Sequence, residues 1–289
     1  MFVVDAWKRS GYFRVGGIML AVLLAIAVLQ PWLSQLALQN PDVSPMSMGT
    51  FEPYADPSLR HPAGTDKLGR DMLALLFLGI RVSMLIALIA GCTATGIGIS
   101  LGFIAGYKGG WVDAVLRTGT DMVLVIPSLP LLIALAAYLP TISIPVMSLL
   151  LAAFAWPFTT RIIRSQVLTL KQRPFVDLAR TSDQGDMSII FLEILPNLLP
   201  FLGVSVAVGM SSAMLAEIGL QLIGLGPASI NTLGLMVQQS VQSGVLAIGK
   251  WWILFAPVSC LIAFFVALNL INIGLESAFN PRLRSVTGD

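Results

Sequence analysis

The chain has 289 residues, 56% of them hydrophobic and only 11% charged, with a formal net charge of +2. Soluble domains average about 25% charged residues, so this balance excludes a water-soluble enzyme or a nucleic-acid binder and calls for lipid as solvent. Two cysteines and one histidine, His61, exclude a disulfide framework and a Cys/His metal site.

A hydrocarbon core of about 30 Å takes about 20 apolar residues per helix. Six runs meet this: 16–36, 82–105, 122–139, 145–163, 198–223 and 253–275. The fold class is therefore all-α, a polytopic membrane protein of six spans. The first run is too long for a signal-peptide core and lacks a small-residue cleavage site, so it is expected to stay as a span.

The loop after it is rich in Pro, Asp and Ser. Near its end, Thr65-Asp66 followed by Leu68-Gly-Arg-Asp71 predicts an N-capped helix leading toward the second span. Arg70, Asp71 and Arg81 then either meet a binding partner or fix an interfacial helix. The second span carries Gly98, Gly102 and Gly106 at i, i+4 and i+8. Such a stripe lets helix backbones approach closely in lipid, with a helix of this chain or of a second subunit as the neighbour. Cys92 and Cys260 lie in apolar runs and are expected as buried small hydrophobes. Pro127, Pro130, Pro140, Pro145 and Pro157 interrupt the third and fourth runs, as spans tolerate when neighbouring groups satisfy the freed carbonyls.

The segment 164–197 is charged and helix-capable between two apolar runs. Pro174 suits the first helical position, and Asp177 falls in the first turn, where the helix dipole favours it. Phe175, Leu178, Ala179 and Ser182 share one face, framed by Arg173, Asp177 and Arg180. Gly185 is expected to end this helix and Asp186 to cap a second one, running to Leu195 before Pro196. Such a knob either docks into a cleft of another protein or lies on lipid headgroups.

In the fifth run, Glu217 is the one acid well inside a predicted span. An ionisable group there faces the bundle interior or a wet cavity, as a pathway or gate residue or as a structural anchor. Gln221, one turn on, extends the same polar face. The stretch 224–250 has room for a short re-entrant or interfacial helix, and Lys250, Trp251 and Trp252 suit an interface anchor before the last span. With the N-terminus inside, only Arg60, Lys67, Arg70, Arg81 and Lys250 of the 17 Lys and Arg fall outside. That asymmetry predicts both termini in the cytoplasm.

No nucleotide-binding loop of the Gly-rich, Lys-Ser/Thr type is present, nor HExxH, nor paired intramembrane carboxylates. The chain is then not an enzyme: either an external machine drives it, or it is a channel, an ion-coupled carrier or a membrane scaffold.

The segment from Phe175 to Pro196 resembles the cytoplasmic "EAA" loop of ABC-importer permeases. The wider resemblance is to the dipeptide/oligopeptide/nickel permease family, OppC/DppC-type branch. It is carried by His61-Pro-Ala-Gly-Thr-Asp-Lys-Leu-Gly-Arg-Asp71, Gly79-Ile-Arg-Val-Ser83, Gly106-Tyr-Lys-Gly-Gly-Trp-Val-Asp113, Asp121 with Ile126-Pro-Ser128, Ile194-Leu-Pro-Asn197, Glu217, Gly224-Leu-Gly226 and Asn280-Pro-Arg282. Asp177-Leu178-Ala179 stands where the family has Glu-Ala-Ala, Asp183 where it has Gly, and Thr232-Leu-Gly234 where it has Trp-Gly.

The resemblance implies an importer permease of a prokaryotic plasma (inner) membrane. It implies a coupling helix of Phe175, Val176, Asp177, Leu178, Ala179 and Arg180, closed by Gly185. The implied partners are a second homologous permease, two ATPase subunits that bind ATP and Mg2+, and an extracytoplasmic solute-binding protein. This chain itself would hold no cofactor and no metal. The implied cargo is a short peptide; oligosaccharides or nickel and metal-chelator complexes are the alternatives. Residues 1–81 form the tail, first span and outer loop, 82–284 the permease core, and 285–289 the C-terminal tail.

Overall fold

The structure is a computed structural model that describes residues 2–39, 42–139, 141–227 and 230–279. Asn280-Pro-Arg282, Pro140 and the C-terminal tail lie outside those residues. Among the described residues, helix dominates and no strand occurs.

A short α1 (Phe2–Arg9) turns at Ser10, whose hydroxyl accepts the Phe13 N–H and caps α2 (Gly11–Leu38). Then come α3 (Met72–Lys108), α4 (Gly110–Val125), α5 (Ser128–Tyr138) and α6 (Ile144–Leu170). The polar segment holds α7 (Pro174–Thr181). Next, α8 (Asp186–Ser188), a wider π-helical stretch (Ile189–Ile194) and α9 (Leu195–Leu222) run on as one rod. The last two are α10 (Leu233–Gln242) and α11 (Trp252–Phe279).

Five rods are long and apolar enough to cross a membrane: α2, α3, α6, Asp186–Leu222 and α11. The third expected span is not a single helix. It is α4 and α5, bent by 77°. Pro127 cannot donate to the ladder and disfavours helical geometry at Ile126, which sits at φ −75°, ψ 123°. Pro157 leaves α6 unbroken, and Pro145 sits in its first turn, where a missing N–H costs nothing.

A second correction concerns Pro196, which was expected to stop a helix at Leu195. The widened turn resolves the conflict. Leu195 N–H reaches back to Ile190 O, and the Asn197 side chain donates to Glu193 O at 2.7 Å. The rod thus runs on through Pro196 by widening just before it.

α3 is the central rod. Its glycine stripe faces α6 of the same chain. A Cβ on Gly98 would stand 2.5 Å from Thr159 Cβ, one on Gly102 2.6 Å from Thr160 O, and one on Gly106 2.8 Å from Val167 Cβ. Gly91 meets Met210 of α9 as closely, and Gly16 of α2 meets Ala267 O of α11. In lipid, association rests on packing of this kind because no hydrophobic force drives helices together. Of the two cysteines, Cys92 is exposed on α3 and Cys260 half-buried, so the expected burial fails for the first. An apolar run does not tell a protein-facing side from a lipid-facing one.

The rods define two ends. At one, the loop 42–71, α10 and the start of α11 meet. At the other lie α1, the α3–α4 turn, α7, α8 and the end of α11, where Ser277 donates to Ser10 at 3.2 Å.

Candidate functional site

At the α7 end, the inward face of α7 is Val176 and Ala179, both buried. They pack with Ile163, Val167, Ile189, Ile194 and Leu198, with Phe175 half-buried at the edge. Leu178 points outward and is 69% exposed. The expected face of Phe175, Leu178, Ala179 and Ser182 is therefore corrected. In a helix of only eight residues, two neighbouring apolar stripes are equally available, and the cluster beneath selects Val176 and Ala179. Asp177 and Arg180 are exposed and form a loose 3.7 Å pair, worth little in water. What α7 presents is Leu178 among charges.

The end of α7 is also corrected. Gly185 has φ −66°, ordinary for any residue, and merely precedes α8. The chain reverses at Asp183, with φ 55°. Asp183 N–H bonds Arg180 O at 3.1 Å and Gln184 N–H bonds Ala179 O at 3.2 Å, the paired closure of a Schellman motif. Aspartate enters the left-handed region more readily than most side chains, so it serves where the related loops carry glycine.

This segment is pinned to α3. Tyr107 donates to Asp186 Oδ1 at 2.6 Å. Lys171 donates to Tyr107 O and lies 5.3 Å from the centre of its ring. A push on α7 or α8 thereby reaches the helix on which the other rods pack.

Glu217 and Gln221 lie on the α9 face that meets α10. Glu217 is fully enclosed (0% exposed) and Gln221 is at 1%. Gly234 of α10 is the wall opposite: a Cβ there would stand 3.0 Å from Glu217 Oε2 and 3.2 Å from Gln221 Cβ. Gln221 donates to Thr232 Oγ1 at 3.3 Å, and Thr232 caps α10 through Leu235 N–H at 3.0 Å. Thr232 and Gln221 adjoin the carboxyl group, yet neither Glu217 oxygen has a partner at hydrogen-bond geometry. Glu217 thus faces the interior, as expected, and is enclosed there. The expected short helix after the fifth span exists as α10, packed against α3, α9 and α11.

At the loop end, Thr65 and Asp66 do not cap a helix. Asp71 does, accepting Ala74 N–H at 2.9 Å, while its other oxygen sits 2.8 Å from His61 Nδ1. Thr65 donates to Glu52 O at 2.6 Å and accepts from Ala55 N–H at 2.8 Å. Asp66 accepts from Leu68 N–H and Arg70 N–H, both at 2.9 Å, and from Arg70 Nε at 2.7 Å. Arg70 then donates to Gln239 of α10 at 2.9 Å. Arg70 and Asp71 are 2% and 1% exposed, so of the two expected uses they tie the structure together. Arg81 joins α3 to α2 through Gln30 at 3.0 Å.

A charged cleft between α4 and α6 completes the inventory. Arg161 donates to Asp121 at 2.7 Å, Arg117 stands 3.7 Å from the same carboxylate, and Arg164 grips Asp113 with two nitrogens. Arg117, Asp121, Arg161 and Arg164 line a cavity of about 420 Å³. Sequence reasoning named Glu217 alone as an embedded acid, because the third run was started at Met122. The helix in fact begins at Gly110 and contains Asp121. The signal was present as Arg117 and Asp121 at i, i+4.

Residues 98–285 match the family described as "Binding-protein-dependent transport system inner membrane component". The chain is 34% identical over 273 residues to the "Oligopeptide transport system permease protein OppC" of Mycobacterium tuberculosis, covering 92% of this chain and 91% of that one. It is 33% identical over 277 residues to a "Putative peptide permease protein" of Brucella suis, at 95% and 88% coverage. A "Putative peptide transport system permease protein" of Brucella abortus gives 33% over 281 residues, at 96% and 90%.

Proposed function

Because the chain belongs to the family of inner membrane components of binding-protein-dependent transport systems, we propose that it forms half of the translocation pathway of an ABC importer for short peptides. The observation that carries this is similarity to peptide permeases along nearly the whole chain. Two ATPase subunits hold ATP and Mg2+ and supply the energy; this chain contributes no catalytic group. A second homologous permease completes the pathway, and a solute-binding protein delivers the peptide to the loop end.

The geometry gives each end a role in this cycle. The loop end is a cross-linked platform on which a binding protein can press without dispersing the loop. The α7 end presents Leu178 to a groove on an ATPase subunit. Tyr107 and Lys171 carry the resulting displacement into α3, and the rods rock as bodies, the alternating-access motion of bundled transporters. The α7 end then lies in the cytoplasm.

Reconstitution with the two ATPases, the partner permease and the binding protein tests this. Uptake of labelled tripeptides into vesicles should require ATP and the binding protein together. Uptake without ATP would indicate a carrier or channel instead. In a cysteine-free background, Gln184→Cys should resist a membrane-impermeant thiol reagent in intact cells while Glu52→Cys reacts; the reverse would invert the orientation.

A further inference from the structure

The cleft between α4 and α6 has more cation than its own acids neutralise. Arg164 spends its guanidinium edge on Asp113, with Nη2 2.5 Å from Oδ2. Arg117 and Arg161 share the single carboxylate of Asp121. A guanidinium has five donors and a carboxylate about four acceptor sites, so two guanidiniums on one carboxylate leave about six of their ten donors unused. Among the described residues no further acid lines the cavity. Arg117 and Arg161 are 65% and 61% exposed within it.

The cleft is also open: the Asp121 side chain is 43% exposed. Exposed charges on apolar helices face a water-filled cavity or a partner rather than lipid. The same face of α4 carries Ala114, Met122 and Val125, all exposed, beside Arg117 and Asp121. Apolar wall beside surplus guanidinium is the arrangement that receives a carboxylate carrying a side chain. Arginine pairs with carboxylates through two parallel N–H bonds.

We propose that the Arg117/Arg161/Asp121 cleft is a binding site for the terminal carboxylate of the peptide cargo on its way through the bundle. This rests on the peptide-importer reading above. The carboxylate is common to all unmodified peptides, so the site holds cargo without reading its sequence, and the open face beside it admits side chains of varied shape. Asp121 acts as the resident competitor: an arriving carboxylate must displace it from one arginine, which keeps binding weak enough for release.

The test uses the reconstituted importer with Thr118→Cys in a background where Cys92 and Cys260 are alanine. Thr118 is exposed on α4, next in sequence to Arg117. An anionic methanethiosulfonate should label position 118 about tenfold faster than a cationic one of similar size, as a cationic cavity concentrates anions. Arg117→Gln should abolish that preference, and it leaves the Arg161–Asp121 pair in place. A library of free-acid tripeptides should slow labelling, while the C-amidated library should not. Asp121→Asn, which frees both arginines, should deepen the protection.

Equal protection by both libraries, no protection by either, or no labelling of position 118 would overturn the site. Protection by glycerophosphate vesicle lipids but not by tripeptides would assign the cleft to lipid headgroups and equally overturn it. Uptake of the tripeptide library by the same vesicles is recorded in parallel. Uptake without protection removes this site alone, whereas absence of ATP-driven uptake strikes the importer reading itself.

Discussion

The two ends of the bundle use polar sequence in opposite ways. In the loop 42–71, three charges turn inward while Glu52, Asp56, Arg60 and Lys67 stay exposed: Asp66 and Arg70 are buried and bonded to each other, to backbone and to α10, and Asp71 is buried against Ala74 N–H and His61. In the segment after α6 they turn outward. There Asp177, Arg180 and Asp183 are exposed, and only Val176 and Ala179 are sealed in. Buried polar groups must be satisfied or they cost heavily, so the first region is a knot whose parts depend on each other. The second is a lever lying on an apolar seat, free to meet another protein. Composition distinguishes neither, since both are short polar stretches between spans.

Four substitutions sharpen this contrast, from the largest effect on stability to the smallest. Arg70→Ala removes one member of a buried pair and leaves Asp66 and Gln239 without their partner. Breaking such a pair costs about 3–5 kcal/mol, so thermal unfolding of the purified complex should begin well below that of the parent. An unchanged transition would mean that the knot is not structural.

Val176→Asp places a carboxylate in the apolar seat beneath α7. The loss of side-chain burial alone is about 1.5–3 kcal/mol. Limited proteolysis should cut between residues 172 and 188 in this variant and not in the parent; equal resistance would show that α7 is not held by this contact.

Asp183→Gly relieves a side chain in the left-handed region. A gain of up to about 1 kcal/mol is expected, offset in part by the greater freedom of glycine in the unfolded chain. The sign is read from the unfolding midpoint, and a clear loss would mean that the Asp183 side chain makes a contact that outweighs its strain.

Leu178→Asp should leave stability within about 0.5 kcal/mol, as surface substitutions do. It should nonetheless abolish the stimulation of ATP hydrolysis by the loaded binding protein. Normal stimulation would remove Leu178 from the coupling contact. Paired with Val176→Asp, it separates the outward face of α7 from the inward one.

Much of the fold was legible from the residues alone, because the bilayer imposes one rule, a long apolar helix, and long apolar runs are hard to disguise. The five rods cover the runs 16–36, 82–105, 145–163, 198–223 and 253–275, short only of Ile223. Pro127 likewise marked a place where the third run was interrupted, although not the 77° angle that follows. The polar segment 164–197 is legible from its breakers, Pro174 and Pro196, and from its charges. The phase of α7 is not, because eight residues offer two apolar stripes.

The sequence by itself determined the solvent of this protein, where its helices run, and the family whose motifs it carries. Tertiary structure alone decided what each face meets: the Gly98–Gly106 stripe against α6, Glu217 against Gly234, and Asp71 rather than Thr65 as the cap of α3. It also brought Arg117, Asp121, Arg161 and Arg164 to one cleft from two helices. The reason is physical. In lipid, an apolar side chain is equally at home against a neighbouring helix or an acyl chain, so local pattern records that a face is apolar without recording its neighbour. Close approach, enclosure and charge pairing are properties of two elements at once, and no single stretch of chain contains them.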